Sequence, residues 1–502
     1  MAHRAPWWAI MQRLAEALYA RGLVDEPQTQ VWLSYKVAAG TLGFPRVLAI
    51  ASSCPNVSTS LYPFEVAKGW TAVKVAGGLQ TPRGMVFDSA GRLLIVQNGK
   101  GISQHTVDMN GCITSSRFLI SIPTLNHGIY FSVDGNTLYA SSDSFVYRWS
   151  YDSRNGSVSQ TSDTVVSGMA YNGHVTRTLI IPPNHPDLLV VSHGSNGNLD
   201  DASADPAIAR AIVKVFNTST IPSGGYNYAK DGWNAGYGLR NEVGLAFDGN
   251  NFLWGVENSA DELSRTVDGA STDIHTDNPA EELNFLGDVA IPNNQWYGYP
   301  TCFTIWQPSS DITITDSDTD TVRELGVGQQ FVQAPNATFD DANCTRASVP
   351  PLLTFEAHTA PLDAKFDRLY TNLYVTLHGS WNRAPPAGYK LVAVPFTRHG
   401  DTGDYTPAAA PDSKEGYTDI FYPPNEGNCS STTCVRPVGL VFDAAGRLYM
   451  SSDTSGEVFM LSNGQGSFNG TYEAKKACSR RDLALLSHAS RYRLREIHFD
   501  DE

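Results

Sequence analysis

The chain has 502 residues, 41% hydrophobic and 17% charged, which is enough apolar content for a large core and too little charge for a disordered chain. Its formal net charge of -15 excludes nucleic acid and anionic membrane surfaces as principal partners, because both demand clustered Lys and Arg; a small molecule or a cationic surface remains. No apolar run reaches the roughly 18 residues that a spanning helix needs, so no membrane span is expected.

Taken from the N-terminus, the stretch MQRLAEALYARGL from Met11 is helix-like and charged, unlike the basic-then-apolar layout of a signal peptide. A weaker apolar run, Val37 to Phe44 and then Val47 to Cys54, ends in an AxA-like site. The mature chain is therefore expected to begin near Ser52, with residues 1–51 an N-terminal extension holding a signal-like segment.

From Pro82 onward one pattern recurs. PRGMVFDSAGRLLIVQ from Pro82, HGIYFSVDGNTLYASS from His127, EVGLAFDGNNFLWGVE from Glu242 and RPVGLVFDAAGRLYMSS from Arg436 each read as strand, Asp/Gly turn, strand. TRTLIIPPNHPDLLVVSHG from Thr176 and KFDRLYTNLYVTLHGSW from Lys365 are divergent copies of the same hairpin. Six hairpins with no strong helical periodicity between them predict an all-β, six-bladed β-propeller over residues 52–465, each hairpin forming part of a four-stranded blade. The longest gap, about Asn258 to His358, is expected to hold extra loops over one face. Beyond it, residues 466–502 form a charge-dense tail that repeats nothing upstream and has no assigned role.

A propeller binds its ligand at the mouth of the central channel, where each blade contributes a loop. His174 lies just before the inner strand of its hairpin, at the same phase as Arg83, Asn126, Arg240 and Arg436 in the other copies. Any one of them alone reads equally well as a solvated loop end, but together they point to one axial pocket. Arg177, three residues after His174, joins that pocket by phase and neighbourhood, pairs with a carboxylate inside the blade or holds the loop.

The seven cysteines form no CxxC or Cys/His arrangement of zinc spacing, so disulfides are expected if the chain is exported. Cys429 and Cys434 can close a small loop and Cys302 with Cys344 is a plausible pair, while full connectivity stays open. N-glycosylation sequons stand at Asn56, Asn155, Asn217, Asn336, Asn343, Asn428 and Asn469, which together with the cysteines favours a secreted eukaryotic glycoprotein.

Three further stretches, GHVTRTL from Gly173, GYGLRNEVGLAFDGNNFLWGVENSADEL from Gly236 and LYVTLHGSWNRAPPAGYKLVAVPF from Leu373, carry a resemblance together with RPVGLVFD. From about Cys54 to Gly464 the chain resembles the pyrroloquinoline quinone (PQQ) dependent sugar dehydrogenases of soluble glucose dehydrogenase type, and more closely the secreted fungal pyranose dehydrogenases of that superfamily. The resemblance implies a PQQ- and Ca²⁺-dependent oxidation of a pyranose or related sugar, with hydride passing to the quinone. His174 matches the family's general base, a task suited to an imidazole that is neutral near pH 7. Arg240 and Asn241 match the pair that reaches the quinone oxygen and the substrate, Arg240 stabilising the charge that develops there. Asn126 takes the place of a residue touching substrate and cofactor, and Arg383 and Arg436 match positions that hold the cofactor's carboxylates. Arg83 and His358 join the cofactor-binding set by phase and neighbourhood.

The family's calcium ligands map to Asn258 and Ser259, by carbonyl, with Asp261 supporting, although Asn-Ser stands here where glucose dehydrogenases have Gly-Pro. Some relatives add a haem-binding cytochrome domain and a cellulose-binding module, for which this chain leaves no room. Electrons are accordingly expected to pass from a monomer to an external acceptor, such as a haem b cytochrome domain on another secreted protein. Two other functions fit a propeller: a Ca²⁺-dependent lactonase with acidic axial ligands, and a non-catalytic binding module. The dominance of Arg and His at the axial positions favours the anionic cofactor.

Overall fold

The computed structural model describes residues 53–170, 172–310, 312–315 and 322–463. The expected N-terminal extension, the C-terminal tail with Cys478 and the sequon at Asn469 lie outside the described residues. The described chain is a six-bladed β-propeller, and each hairpin named above forms the two inner strands of one blade.

Blade 1 runs Pro82–Phe87, Arg92–Gln97, Gly101–Val107 and Ile113–Ile120 from the axis outward. The inner strands of the other blades are Leu125–Phe131, Leu179–Ile180, Glu242–Phe247, Pro361–Phe366 and Pro437–Phe442. Each second strand is a near-continuous apolar run, such as Arg92–Gln97 or Leu448–Ser452, because neighbouring blades cover both of its faces. By contrast, the outermost strand of blade 1, Ile113–Ile120, is largely exposed. Side chains of adjacent blades interlock in separate apolar layers, for example Leu138 and Trp149 with Leu94 between blades 1 and 2, and Trp254 with Phe396 between blades 4 and 5.

The recurring aspartate has a physical cause. In four blades its Oδ1 accepts the backbone N–H groups two and four residues on: Asp88 from Ala90 and Arg92, Asp248 from Asn250 and Phe252, Asp367 from Leu369 and Thr371, and Asp443 from Ala445 and Arg447. Each carboxylate so closes the turn between the inner two strands. The glycine near the start of four inner strands also has a cause: a Cβ on Gly84 would stand 2.3 Å from the His127 carbonyl oxygen, and one on Gly128 would stand 2.2 Å from that of Arg177. The inner strands pack too tightly around the axis for a side chain there.

The ring is closed by the N-terminal segment. Thr71–Ala76 is the outermost strand of blade 6, paired antiparallel with Glu457–Ser462, and Glu65–Val66 extends the edge of blade 5 by pairing with Thr418–Tyr422. The long connection in blade 4 carries three small two-stranded ladders and a helix, Asp341–Ala347, whose N-terminus is closed by a capping box between Asp340 and Asn343.

Three disulfides join Cys54 to Cys112, Cys302 to Cys344 and Cys429 to Cys434. The last two are the pairs suggested by spacing. The first spans 58 residues and ties the segment leading to the closing strand onto the outer hairpin of blade 1. Loop-closure entropy alone makes such a bond worth about 4 kcal/mol. Cys54→Ser is therefore expected to lower the denaturant midpoint by that equivalent, and an unchanged midpoint would show that the closing strand needs no tether.

Candidate functional site

The start of each inner strand and the end of each second strand lie on the same face of the ring. The side chains singled out by sequence gather there in two groups and a rim.

The first group joins blades 1, 5 and 6. Asp453, at the end of a second strand, accepts from Arg83 Nη1 at 2.7 Å and lies 2.9 Å from His378 Nε2. Burial would raise the Asp453 pKa, but His378 and Arg83 outweigh it and hold the carboxyl well below the usual carboxylate range. Arg436 donates to the carbonyls of His378 (3.1 Å) and Gly379 (2.9 Å) and lies over the Tyr389 ring. It has no carboxylate within ion-pair distance among the described residues, so its charge is satisfied by dipoles alone.

The second group joins blades 2, 3 and 4. Arg240 is buried and donates to the Asn198 carbonyl (2.9 Å), Asn198 Oδ1 (2.8 Å), the Asn258 carbonyl (3.0 Å) and Asp261 (3.2 Å). Its backbone N–H donates to Glu257 Oε1 at 2.6 Å, where Glu242, Glu257 and Glu282 surround the Asn284 amide. Burial pushes all three carboxyls up, Glu282 to about 7. Asn241 presents Oδ1 against Gly194, where a Cβ would stand 2.6 Å away. Asn126 donates to the Val175 carbonyl at 2.9 Å, while its buried Oδ1 has no partner.

His174 belongs to this group although it does not share the register of its counterparts. Its inner strand starts at Leu179, and the residue nearest to the expected phase is Arg177, so His174 reaches the mouth through the preceding loop. The loop is pinned by the His174 N–H on the Ser195 carbonyl and by the Ser195 N–H on the Arg240 carbonyl. His174 Nδ1 is 2.9 Å from Ser195 Oγ. That hydroxyl spends its only proton on the Gly197 carbonyl at 2.7 Å, so toward His174 it can only accept. Nδ1 therefore carries the ring proton and Nε2, which makes no hydrogen bond among the described residues, keeps its lone pair. Burial and then the Arg240 charge lower the His174 pKa to about 4.

Arg177 resolves in favour of the loop. Fully buried, it donates to the carbonyls of Ala170, His174 (2.6 Å) and Thr176 (2.9 Å), with no carboxylate partner among the described residues.

The rim holds Arg383, paired with Glu356 (2.8 Å) and Asp277 (3.2 Å), and His358, whose Nε2 meets the His275 carbonyl and whose Nδ1 lies 3.7 Å from Asp261. Glu281 accepts from the Ser259 N–H (2.6 Å) and the Ala360 N–H (3.2 Å), and burial raises its pKa to about 7. Asn258 turns its carbonyl to Arg240 and its amide to the Pro361 carbonyl at 2.5 Å. Among the described residues no group of three or more His, Cys, Asp or Glu is arranged around one metal position. A cation at Asn258, Ser259 and Asp261 would thus depend on backbone carbonyls and on oxygens brought by a ligand.

Beyond Asn258, Ser259 and Asp261, the partners that follow second strands, Asp453, His378, Ser195 and Asn198, and Glu281 at the start of the third strand of blade 4, were not among the residues expected from the sequence. The signal was present, since the end of each hairpin must return to the face from which it began.

Fold and site together define a six-bladed propeller whose axial mouth carries guanidinium groups around a neutral histidine. The chain belongs to the TrAA12-like family, whose profile matches residues 64–464. It is 41% identical over 421 residues to a pyrroloquinoline quinone-dependent pyranose dehydrogenase of Coprinopsis cinerea, covering 82% of this chain and 56% of that protein. The chain thus spans little more than half the length of that relative. The holo form of the PQQ domain of the Coprinopsis cinerea pyranose dehydrogenase superposes with a TM-score of 0.77 at 40% identity, over 82% of this chain and 99% of that one. The calcium structure of a Trichoderma reesei carbohydrate-active enzyme of family AA12 superposes with a TM-score of 0.74 at 37% identity, over 82% and 100%.

Proposed function

We propose that this chain is the catalytic propeller of a secreted sugar dehydrogenase that oxidises a pyranose with PQQ and Ca²⁺ and passes the electrons to an external acceptor. The observation that carries this reading is the charge arrangement at the mouth: Arg83, Arg240, Arg383 and Arg436 on one face of a chain of net charge -15, with Arg436 paired to no carboxylate among the described residues. A tricarboxylate fits that donor set, and the buried Asn126 Oδ1, without a partner among the described residues, is an acceptor still to be satisfied. Arg436 and Arg83 would hold carboxylates, Arg240 with Asn241 an oxygen near the reacting centre, and Asn258 and Ser259 the cation by their carbonyls. When bound, PQQ would supply the two-electron acceptor.

The chain's own contribution is proton transfer and placement. His174 Nε2 takes the proton from the sugar hydroxyl as its carbon gives up hydride, while the Ser195 hydroxyl fixes the ring through Nδ1. Arg240 sits where negative charge grows, fixed beforehand by Asn198, Asn258 and Asp261. Arg177 keeps the His174 loop in place from behind. Secretion is supported by the three disulfides and by six sequons, Asn56 to Asn428, none of which is buried.

The test is a spectroscopic titration of the purified protein with PQQ, with and without Ca²⁺, followed by a panel of pyranoses. Saturable Ca²⁺-dependent binding and reduction of the bound quinone by at least one sugar are expected; no binding at micromolar PQQ would overturn the reading.

A further inference from the structure

The loop between the second and third strands of blade 5, residues 378–389, inverts the usual preference for burial. Trp381 is 69% exposed, the most exposed large aromatic side chain among the described residues, while both amide atoms of the next residue, Asn382, are buried. The loop is held at its base and at its tip, although the Asn382 amide and Arg383 Nε are buried without a hydrogen-bond partner among the described residues. Its base is closed by the Ser380 N–H on the Ala387 carbonyl (2.9 Å), the Ala387 N–H on Ser380 Oγ (3.0 Å) and the Tyr389 hydroxyl on the Ser380 carbonyl. Gly379, at φ 100°, must be glycine, since a Cβ would stand 2.5 Å from the Tyr389 ring. At the tip, Arg383 ties the loop to Glu356, Asp277 and the Ala357 carbonyl.

Trp381 therefore stands between two anchors that both belong to the mouth: the Gly379 carbonyl, which receives Arg436, and the Arg383 guanidinium. Its indole makes no ring contact or hydrogen bond with any described residue. Burying a large aromatic surface gains roughly 1.5–3 kcal/mol, so a well-built loop that holds an indole in water forgoes that gain for a purpose outside the fold.

We propose that Trp381 is the platform on which the pyranose stacks at the channel mouth, and that it sets affinity for the sugar more than the rate of its oxidation. A pyranose offers one face of axial C–H groups and an equatorial belt of hydroxyls. The apolar face matches an indole, and the hydroxyls match the polar groups around Arg240 and His174. This inference rests on the sugar dehydrogenase reading above.

The experiment compares the PQQ- and Ca²⁺-loaded protein with its Trp381→Ala and Trp381→Phe variants, using a small dye as acceptor and a panel of pyranoses. The expected result for Trp381→Ala is a KM raised about tenfold for the preferred sugar, a kcat changed by less than about twofold, and a KM largely restored by phenylalanine. The spread of kcat/KM across the panel should narrow as well. An unchanged KM overturns the proposal, as does a defect seen only when a protein replaces the dye, which would make Trp381 a docking contact. Failure of the wild-type protein to turn over any sugar with PQQ would instead refute the underlying function, so the two failures are distinct.

Discussion

His174→Ala is expected to bind PQQ nearly as tightly as the wild-type protein and to turn over sugar about 10² to 10⁴ times more slowly, the usual range for a lost general base. The fold around it should survive, because Ser195 keeps its bond to Gly197 and Arg177 keeps the carbonyls of Ala170 and Thr176. His174→Gln should be as slow, since an amide can hold the hydrogen bond to Ser195 but cannot take a proton at neutral pH. The protonation state is open to direct measurement. In the cofactor-free protein, burial and the neighbouring Arg240 charge place the His174 pKa at about 4, so by NMR the ring should remain neutral above that and gain its proton, losing its basic lone pair, as pH falls through it. Titration near the ordinary 6.5 would refute the burial argument. Turnover within a few-fold of wild type in the alanine variant would remove His174 from the chemistry altogether.

Arg436→Met should weaken PQQ by roughly 10² to 10³-fold, about 3–4 kcal/mol, which lies within the ~2–5 kcal/mol lost when one partner of a desolvated charge pair is truncated. Methionine keeps only the unbranched apolar stem; it removes the charge, the guanidinium over the Tyr389 ring and the donors to His378 and Gly379. Arg436 differs from its neighbours in this respect. Arg83 and Arg383 already face Asp453 and Glu356, so replacing either also unpairs a carboxylate of the free protein, whereas Arg436 has two carbonyls and the Tyr389 ring but no carboxylate partner among the described residues. Arg436→Lys should recover part of the affinity through charge without the forked geometry. A dissociation constant within threefold of wild type for Arg436→Met would show that the cofactor's carboxylates are held elsewhere.

What could be read from the sequence, and what could not, follows from burial. The hairpins were legible because the second strand of each blade is covered on both faces and keeps an apolar run, and because in four blades the same aspartate turn joins it to the inner strand. Outer strands such as Asp163–Ser167 and Ile113–Ile120 face solvent or loops, carry mixed residues and left no pattern. The segment Thr71–Ala76 was not recognised as part of any blade, because its partner lies almost 400 residues away and only ring closure brings the two together. At the site, arginines next to inner strands stood out as unusual neighbours of apolar runs, whereas Asp453, Ser195 and Asn198 resemble ordinary turn residues until the hairpin is folded. The pairing of Cys54 with Cys112 was equally hidden, since it links two segments with no shared motif.

That closing strand also bears on how the molecule is made. Thr71 is among the first described residues to leave the ribosome and Ser462 among the last, yet they pair in blade 6. Five blades can form their hairpins in order of synthesis, from local contacts, but the sixth waits for nearly the whole chain. During that wait Thr71–Ala76 carries an unpaired edge, the kind of surface on which chains associate wrongly. The Cys54–Cys112 bond needs only the first 112 residues, so an oxidising compartment can fasten the early segment to blade 1 long before its true partner exists. The order of events then runs from a covalent tether, through five local hairpins, to a single late docking step that converts an open arc into a ring.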